Sequence, residues 1–253
     1  MKRFVPALLA LVLVALSGAA LAQDLGGRTL IVGSDTTYPP FETVDQDGNI
    51  VGFDIDVVNA ICERINCVAQ FQTTAWDGIF AALANGEFDM IASGITITEE
   101  RARVVEFTDP YHEVNQAVAV RTADADLTLE DFTSGNARLG SQTGTTNAIL
   151  AEELVGRDNL SLYDDFNLAI QALLSGDIDG VMIDDTSADA FVEQYAGQIV
   201  AAVRNVESGE KLGFAVQPGD ELVDALNAGL AQIREDGTLA ALVDKWFSEA
   251  QAD

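Results

Sequence analysis

Arg101 is the side chain whose type and position most need a chemical reason. It ends the run Thr96-Ile97-Thr98-Glu99-Glu100-Arg101. Thr98 reads as an N-cap, and Glu99 and Glu100 suit the positive end of a following helix. A cation in that first turn opposes the helix dipole, so another partner is expected for it. Beside free backbone N–H groups, a guanidinium is well suited to bidentate capture of a carboxylate. The plainer alternative is a surface arginine paired to Glu99 or Glu100, worth under ~1 kcal/mol.

Three other groups could complement it. Gly140-Ser141-Gln142-Thr143-Gly144-Thr145-Thr146 is a turn into a helix, which offers N–H groups and hydroxyls to an anion. Asp184 and Asp185 follow the apolar run Val181-Met182-Ile183 and could take an ammonium group; a helix cap is an equal alternative. Tyr38, Phe41 and Trp76 stand near expected strand ends, where rings wall small-molecule clefts or fill cores.

Those residues need elements to carry them, and the chain has the rhythm of α/β units. Thr29–Gly33 reads as a strand, Asp47-Gly48 as a hairpin turn, and Val57, Val58, Ile61 and Ile65 as one helix face. A second strand is expected near 70–73, a short helix over 76–84 ending at Asn85-Gly86, and a third strand over 88–92. Ala82-Leu83-Ala84-Asn85-Gly86-Glu87-Phe88-Asp89 then returns as Ala172-Leu173-Leu174-Ser175-Gly176-Asp177-Ile178-Asp179. That repeat implies two similar lobes, each delivering polar groups from the carboxyl end of a comparable strand. One sheet with two similar units is the alternative. Gln116–Val120 and Leu212–Val216 are expected as strands at the edges of the second lobe, and two amphipathic helices close the chain. Two crossings between lobes favour hinge closure over a small ligand.

Composition narrows the chemistry. The 253 residues are 48% hydrophobic, enough for a sizeable core. Thirteen basic against 41 acidic residues repel phosphate backbones, so nucleic acid is not an expected partner. His112 is the single histidine, which excludes multi-histidine metal sites, and neither common nucleotide-cradle motif occurs. Asp45-Gln46-Asp47-Gly48 is too short for an EF-hand loop and reads as a solvated turn. No cofactor and no metal are expected. Residues 1–22 have the basic start, apolar run and Ala20-Leu21-Ala22 ending of a signal peptide, which points to export. In an oxidising compartment Cys62 and Cys67 can close a small structural disulfide; two buried thiols are the alternative, and no C-x-x-C redox motif is present.

Taken together, Asp35-Thr36-Thr37-Tyr38-Pro39-Pro40-Phe41-Glu42, Gly52-Phe53-Asp54-Ile55-Asp56, Ser93-Gly94-Ile95-Thr96-Ile97-Thr98-x-x-Arg101 and Phe107-Thr108-Asp109-Pro110-Tyr111 resemble the polar amino-acid-binding proteins of ABC importers. Gly144-Thr145-Thr146 and Gly180-Val181-Met182-Ile183-Asp184 continue the match over essentially the whole exported chain. The resemblance implies an α/β fold of the two-lobed type II periplasmic binding class, with a hinged cleft that closes around one L-amino acid. Lobe one would comprise 23–114 and 212–253, and lobe two 115–211. It further implies a periplasmic monomer that serves a membrane ABC permease and is not an enzyme.

By the same resemblance, Arg101 would clamp the ligand carboxylate with Thr96 and Thr146. Asp184 would hold the ammonium, with Ser93 or Gly94 contributing. Tyr38 and Trp76 match aromatic walls that sandwich the ligand side chain, and Asp35 matches a reader of its polar end. Gln142 and Ile183 stand where glutamine-binding relatives carry basic residues, which tilts the expectation toward a basic ligand; arginine, lysine, histidine and glutamine stay open. The competing expectation is an exported cyclohexadienyl or arogenate dehydratase-like enzyme on the same fold, with Glu42 as general acid. A receptor sensor domain is a third reading, which would want a transmembrane segment or effector after Asp253, and none is read there.

Overall fold

In the first strand, Arg28–Ser34, Leu30 and Val32 are fully buried while Thr29 is exposed, the alternation of a strand with one face on a core. In the computed structural model, which describes residues 24–247, this strand lies between Cys67–Thr73 and Met90–Ile91, parallel to both. Ala215–Val216 joins antiparallel to Met90–Ile91, and Glu106–Phe107 completes the five-stranded sheet. The expected signal peptide over 1–22 lies outside the described residues.

The second sheet repeats this order. Leu139–Gln142 runs parallel to Leu160–Tyr163 and to Gly180–Asp184, followed by antiparallel Gln116–Arg121 and then Ile199–Val203. Each lobe therefore takes its fourth strand from a segment beside a crossing. This corrects the expectation that both apolar crossing segments edge the second lobe. Gln116–Arg121 is interior to that sheet, and Ala215–Val216 belongs to the first. Between them, His112–Val114 pairs antiparallel with Glu210–Leu212 as a two-stranded ribbon that joins the lobes.

Helix Phe53–Ile65 buries Phe53, Val57, Val58, Ile61 and Ile65 along one face. It packs closely on helix Leu222–Glu235, where a Cβ on Gly229 would stand 2.8 Å from Cγ2 of Ile61. Asn66 ends the first helix in the left-handed region, and Cys62 and Cys67 are joined by a disulfide across that turn, as expected. Glu42–Val44 pairs with Ile50–Val51 around the Asp47-Gly48 turn, also as expected. The helix anticipated after Thr98 is instead a single 3-10 turn, Arg101–Arg103, whose first N–H is capped by the Thr98 hydroxyl at 3.1 Å. Among the described residues, no helix is long and apolar enough to cross a membrane.

Candidate functional site

The carboxyl ends of equivalent strands in the two sheets face each other across one small cavity. Asp35, Tyr38, Trp76, Ser93, Gly94, Thr96 and Arg101 from lobe one, and Gln142, Thr146 and Asp184 from lobe two, all line it. The structure thus brings together these ten residues, all singled out from sequence, whereas Phe41, Ile183 and Asp185 do not line the cavity. The space between them is only about 20 Å³, roughly enough for a single water molecule. The lobes are closed on each other.

Asp184 ends strand Gly180–Asp184 and precedes helix Asp185–Gln194. It is 2% exposed, and its Oδ2 accepts the Tyr38 hydroxyl at 2.6 Å while Oδ1 accepts the Asn147 amide at 2.8 Å. Burial raises its pKa to about 7, because neither bond supplies a full countercharge. An ammonium group would supply one.

Arg101 is the cation on the opposite lobe. Its Nη1 donates to the Thr96 carbonyl at 3.0 Å and its Nη2 to the Gly144 carbonyl of lobe two at 3.4 Å. The guanidinium lies over Trp76 and Phe80, with its carbon 5.2 and 5.5 Å from the two ring centroids. Burial lowers its pKa to about 10 against the longer-range pull of Glu210, Asp184 and Glu100. A desolvated guanidinium held by carbonyls and ring faces keeps its need for an anion. Beside it, Thr96 and Thr146 meet hydroxyl to hydroxyl at 3.3 Å across the cleft. Helix Thr146–Val155 begins there, capped by the Thr145 hydroxyl, which accepts the Ala148 N–H.

At the other end, Asp35 accepts the Gln142 amide from lobe two at 2.9 Å and the Thr37 hydroxyl at 2.7 Å. Burial pushes its carboxyl up, and Asp165 adds like-charge repulsion. The turn beneath is held from below. Ser93 Oγ accepts the Asp35 N–H and donates to Glu42, while Asp54 accepts the Gly94 N–H and the Tyr111 hydroxyl. Gly94 sits at φ +54°, and a Cβ there would stand 2.9 Å from the Tyr38 ring.

Two expected roles change in three dimensions, those of Ile183 and Glu42. Trp76 carries Arg101 on its face, whereas Tyr38 is stacked on Phe41 and, across the cleft, on Phe166. Ile183 is fully buried in the core of lobe two and does not line the cavity. Glu42 is 0% exposed behind Ser93, sealed from the cleft, with burial and the nearby Asp54 holding its carboxyl well above the usual range. That position denies it contact with a substrate as a general acid. Sequence reasoning missed Thr145, Asn147 and Phe166 as lining residues. Asn147 follows Thr146 by one position and was open to inference as part of the same helix start.

A hinged pair of α/β lobes, shut over a cavity that sets an arginine against an aspartate, defines a solute-binding protein of the extracytoplasmic kind. The chain belongs to the bacterial extracellular solute-binding proteins, family 3, whose model matches residues 30–249. It is 32% identical to a probable histidine-binding protein of Neisseria gonorrhoeae, over 98% of this chain and 97% of that one. An ABC transporter arginine-binding protein 1 of Escherichia coli (strain K12) is 33% identical, over 92% and 94% of the two chains. A solved structure of an ancestral arginine-binding protein bound to arginine superposes with a TM-score of 0.81 at 36% identity, covering 88% of this chain and 99% of that one.

Proposed function

We propose that this protein is the periplasmic binding subunit of an ABC importer for a basic L-amino acid, delivering it as a monomer to a membrane permease without chemical change. The observation that carries the reading is the opposition of Arg101 and Asp184 on different lobes. A zwitterionic amino acid needs one cation and one anion, and these two reach it together only in the closed state. Binding is thereby coupled to closure. Asp35, backed by Asp165 and with no basic residue but the carboxylate-clamping Arg101 among the cavity lining, favours a cationic side chain over an acidic one. Relatives named for histidine and arginine support the same ligand class.

The test is thermal unfolding of the exported form against the twenty L-amino acids, ornithine and citrulline. Ligand at ~1,000 times its dissociation constant adds about 4 kcal/mol, or roughly 8–16 °C in a chain of this size. Arginine, lysine, histidine or ornithine should give the large shifts. A large shift from glutamine or glutamate alone, or none from any amino acid, overturns the reading.

A further inference from the structure

Asp184 is held in lobe two by a chain of side-chain amides that starts on the ribbon between the lobes. Glu210 opens ribbon strand Glu210–Leu212, opposite Val114. Gln116 opens the interior strand of the second sheet, just past the other crossing. The backbone is clasped there: the Gln116 N–H donates to the Glu207 carbonyl at 2.7 Å, and the Gln116 carbonyl accepts the Val206 N–H at 2.8 Å. From this anchor the fully buried Gln116 side chain donates through Nε2 to Glu210 Oε2 at 2.8 Å. Its Oε1 accepts Asn147 Nδ2 at 3.0 Å, and the same Nδ2 donates to Asp184 Oδ1 at 2.8 Å. Neither Gln116 nor Glu210 lines the cavity.

The direction of each bond follows from the two ends of the chain. An ionised carboxylate only accepts, so Glu210 requires the NH2 edge of Gln116, which leaves the Gln116 carbonyl facing Asn147. Asn147 must answer with its own NH2, and the second N–H of that group serves Asp184. Resting on the reading that Asp184 takes the ligand ammonium, we infer that Glu210, acting through Gln116 and Asn147, is a positioning residue that keeps Asp184 a charged acceptor for that ammonium. The relay lies on the ribbon and lobe two alone, so it survives an opening of the cleft that takes the Tyr38 hydroxyl away. Without an acceptor at position 210 the Gln116 amide is free to turn over, and Asn147 with it. A carbonyl then faces Asp184 and favours its protonated form. The other groups near Asp184 are Tyr38 and Arg101 of lobe one and Asp185 on its own helix, while Glu210 itself faces Glu207 and Arg101. Removing the Glu210 charge by itself should make Asp184 easier to ionise, the opposite sign from losing the relay.

Glu210→Gln and Glu210→Met separate the two effects. Both remove the charge, but only glutamine keeps an oxygen that accepts the Gln116 amide. Affinities for arginine, and for glutamine with the same α-ammonium, are measured by titration calorimetry from about pH 5.5 to about pH 9. The fall in affinity toward low pH reports protonation of Asp184. Its midpoint in Glu210→Met should lie about one pH unit above that in Glu210→Gln. Near pH 6 the methionine variant should therefore bind about tenfold more weakly than the glutamine variant, and near pH 9 equally well. Coincident midpoints, or a gap in affinity that stays constant with pH, overturn the relay and leave Glu210 a distant charge or a structural prop. Glu210→Ala covers the case in which the methionine variant does not fold, and the same separation from Glu210→Gln is expected of it. A flat wild-type profile would instead remove Asp184 as the ammonium partner, and the relay with it. Wild type that binds glutamine but not arginine would sink the basic-ligand reading alone, since glutamine still tests the relay.

Discussion

Tyr38 donates its hydroxyl proton to Asp184 Oδ2 at 2.6 Å, from the floor of one lobe to the lip of the other. The carboxylate best placed to hold a ligand ammonium is thus engaged by a neutral donor. Gln142 does the same for Asp35, and the Gly144 carbonyl is a neutral acceptor for Arg101. The cleft closes on its own polar groups, and a ligand replaces neutral hydrogen bonds with charged ones. Affinity is then the difference between the two sets, and pairing of buried charges supplies the gain.

The first consequence concerns the two opposed charges. Arg101→Ala or Asp184→Ala should weaken every amino acid by at least about a hundredfold, because each leaves a ligand charge buried without its partner. Arg101→Lys should recover only part of the loss, since an ammonium cannot make the bidentate contact. Near-native calorimetric affinity in Arg101→Ala would show that the carboxylate is held elsewhere.

Asp35 should act on ranking rather than on binding as such. Asp35→Asn keeps the shape of the contact with Gln142 but removes the charge at the side-chain end of the site. Arginine and lysine should lose about tenfold relative to glutamine. Competition titrations read this ratio directly, and an unaltered ranking would move side-chain recognition away from Asp35.

Protonation links stability and binding in opposite directions. Burial raises the folded pKa of Asp54 and of Asp184 from the ordinary carboxylate range to about 7, and Asp35 is raised as well. The folded state therefore holds protons that the unfolded chain releases between about pH 4 and 7. Their contribution is fully present below pH 4 and is lost as pH rises through 7. His112, lowered to about 4 by burial among Phe41, Phe53 and Phe247, works the other way and loses its contribution as pH falls from 6.5 to 4. Several acids against one histidine should give a ligand-free protein that melts higher at pH 5.5 than at pH 8. A ligand ammonium beside Asp184 restores its charge and expels the proton, so affinity should rise from pH 6 to 8. Calorimetry in buffers of different ionisation enthalpy should detect proton release near pH 6.5, and its persistence in Asp184→Asn would assign the proton elsewhere.

The repeated phrase in the chain corresponds to a repeated device. Gly86 and Gly176 both take the left-handed region that ends a helix, at φ 76° and 85°. Asp89 then accepts the Ile31 N–H at 2.7 Å and Asp179 the Arg138 N–H at 2.9 Å, each tying the strand that follows it to its parallel neighbour, Arg28–Ser34 or Leu139–Gln142. Local chemistry of this kind is readable from residue types, as are the turn at Asp47-Gly48 and the N-cap at Thr145. Strand exchange between the lobes was not readable, because two apolar residues such as Ala215-Val216 carry no mark of the sheet they join. Phe166 escaped for a related reason: its partner Tyr38 is 128 positions away on another lobe, and only closure brings the rings together.

Gly94 offers the sharpest test of how the floor of the site is held. Its φ of +54° and the 2.9 Å between a built Cβ and the Tyr38 ring leave no room for a side chain without moving one of them. The Asp54 carboxylate fixes the Gly94 N–H and the Ser93 hydroxyl fixes the Asp35 N–H, so the turn cannot relax alone. Gly94→Ala should therefore displace Tyr38 and, through it, the contact with Asp184. The expected cost is about 1–3 kcal/mol of stability from the strained backbone and the crowded ring. Ligand affinity should fall more than stability alone would require, because Tyr38 and Asp184 both line the cavity. Measured at a temperature where the variant is fully folded, an affinity within twofold of wild type would mean that Tyr38 is free to move without consequence for the ligand.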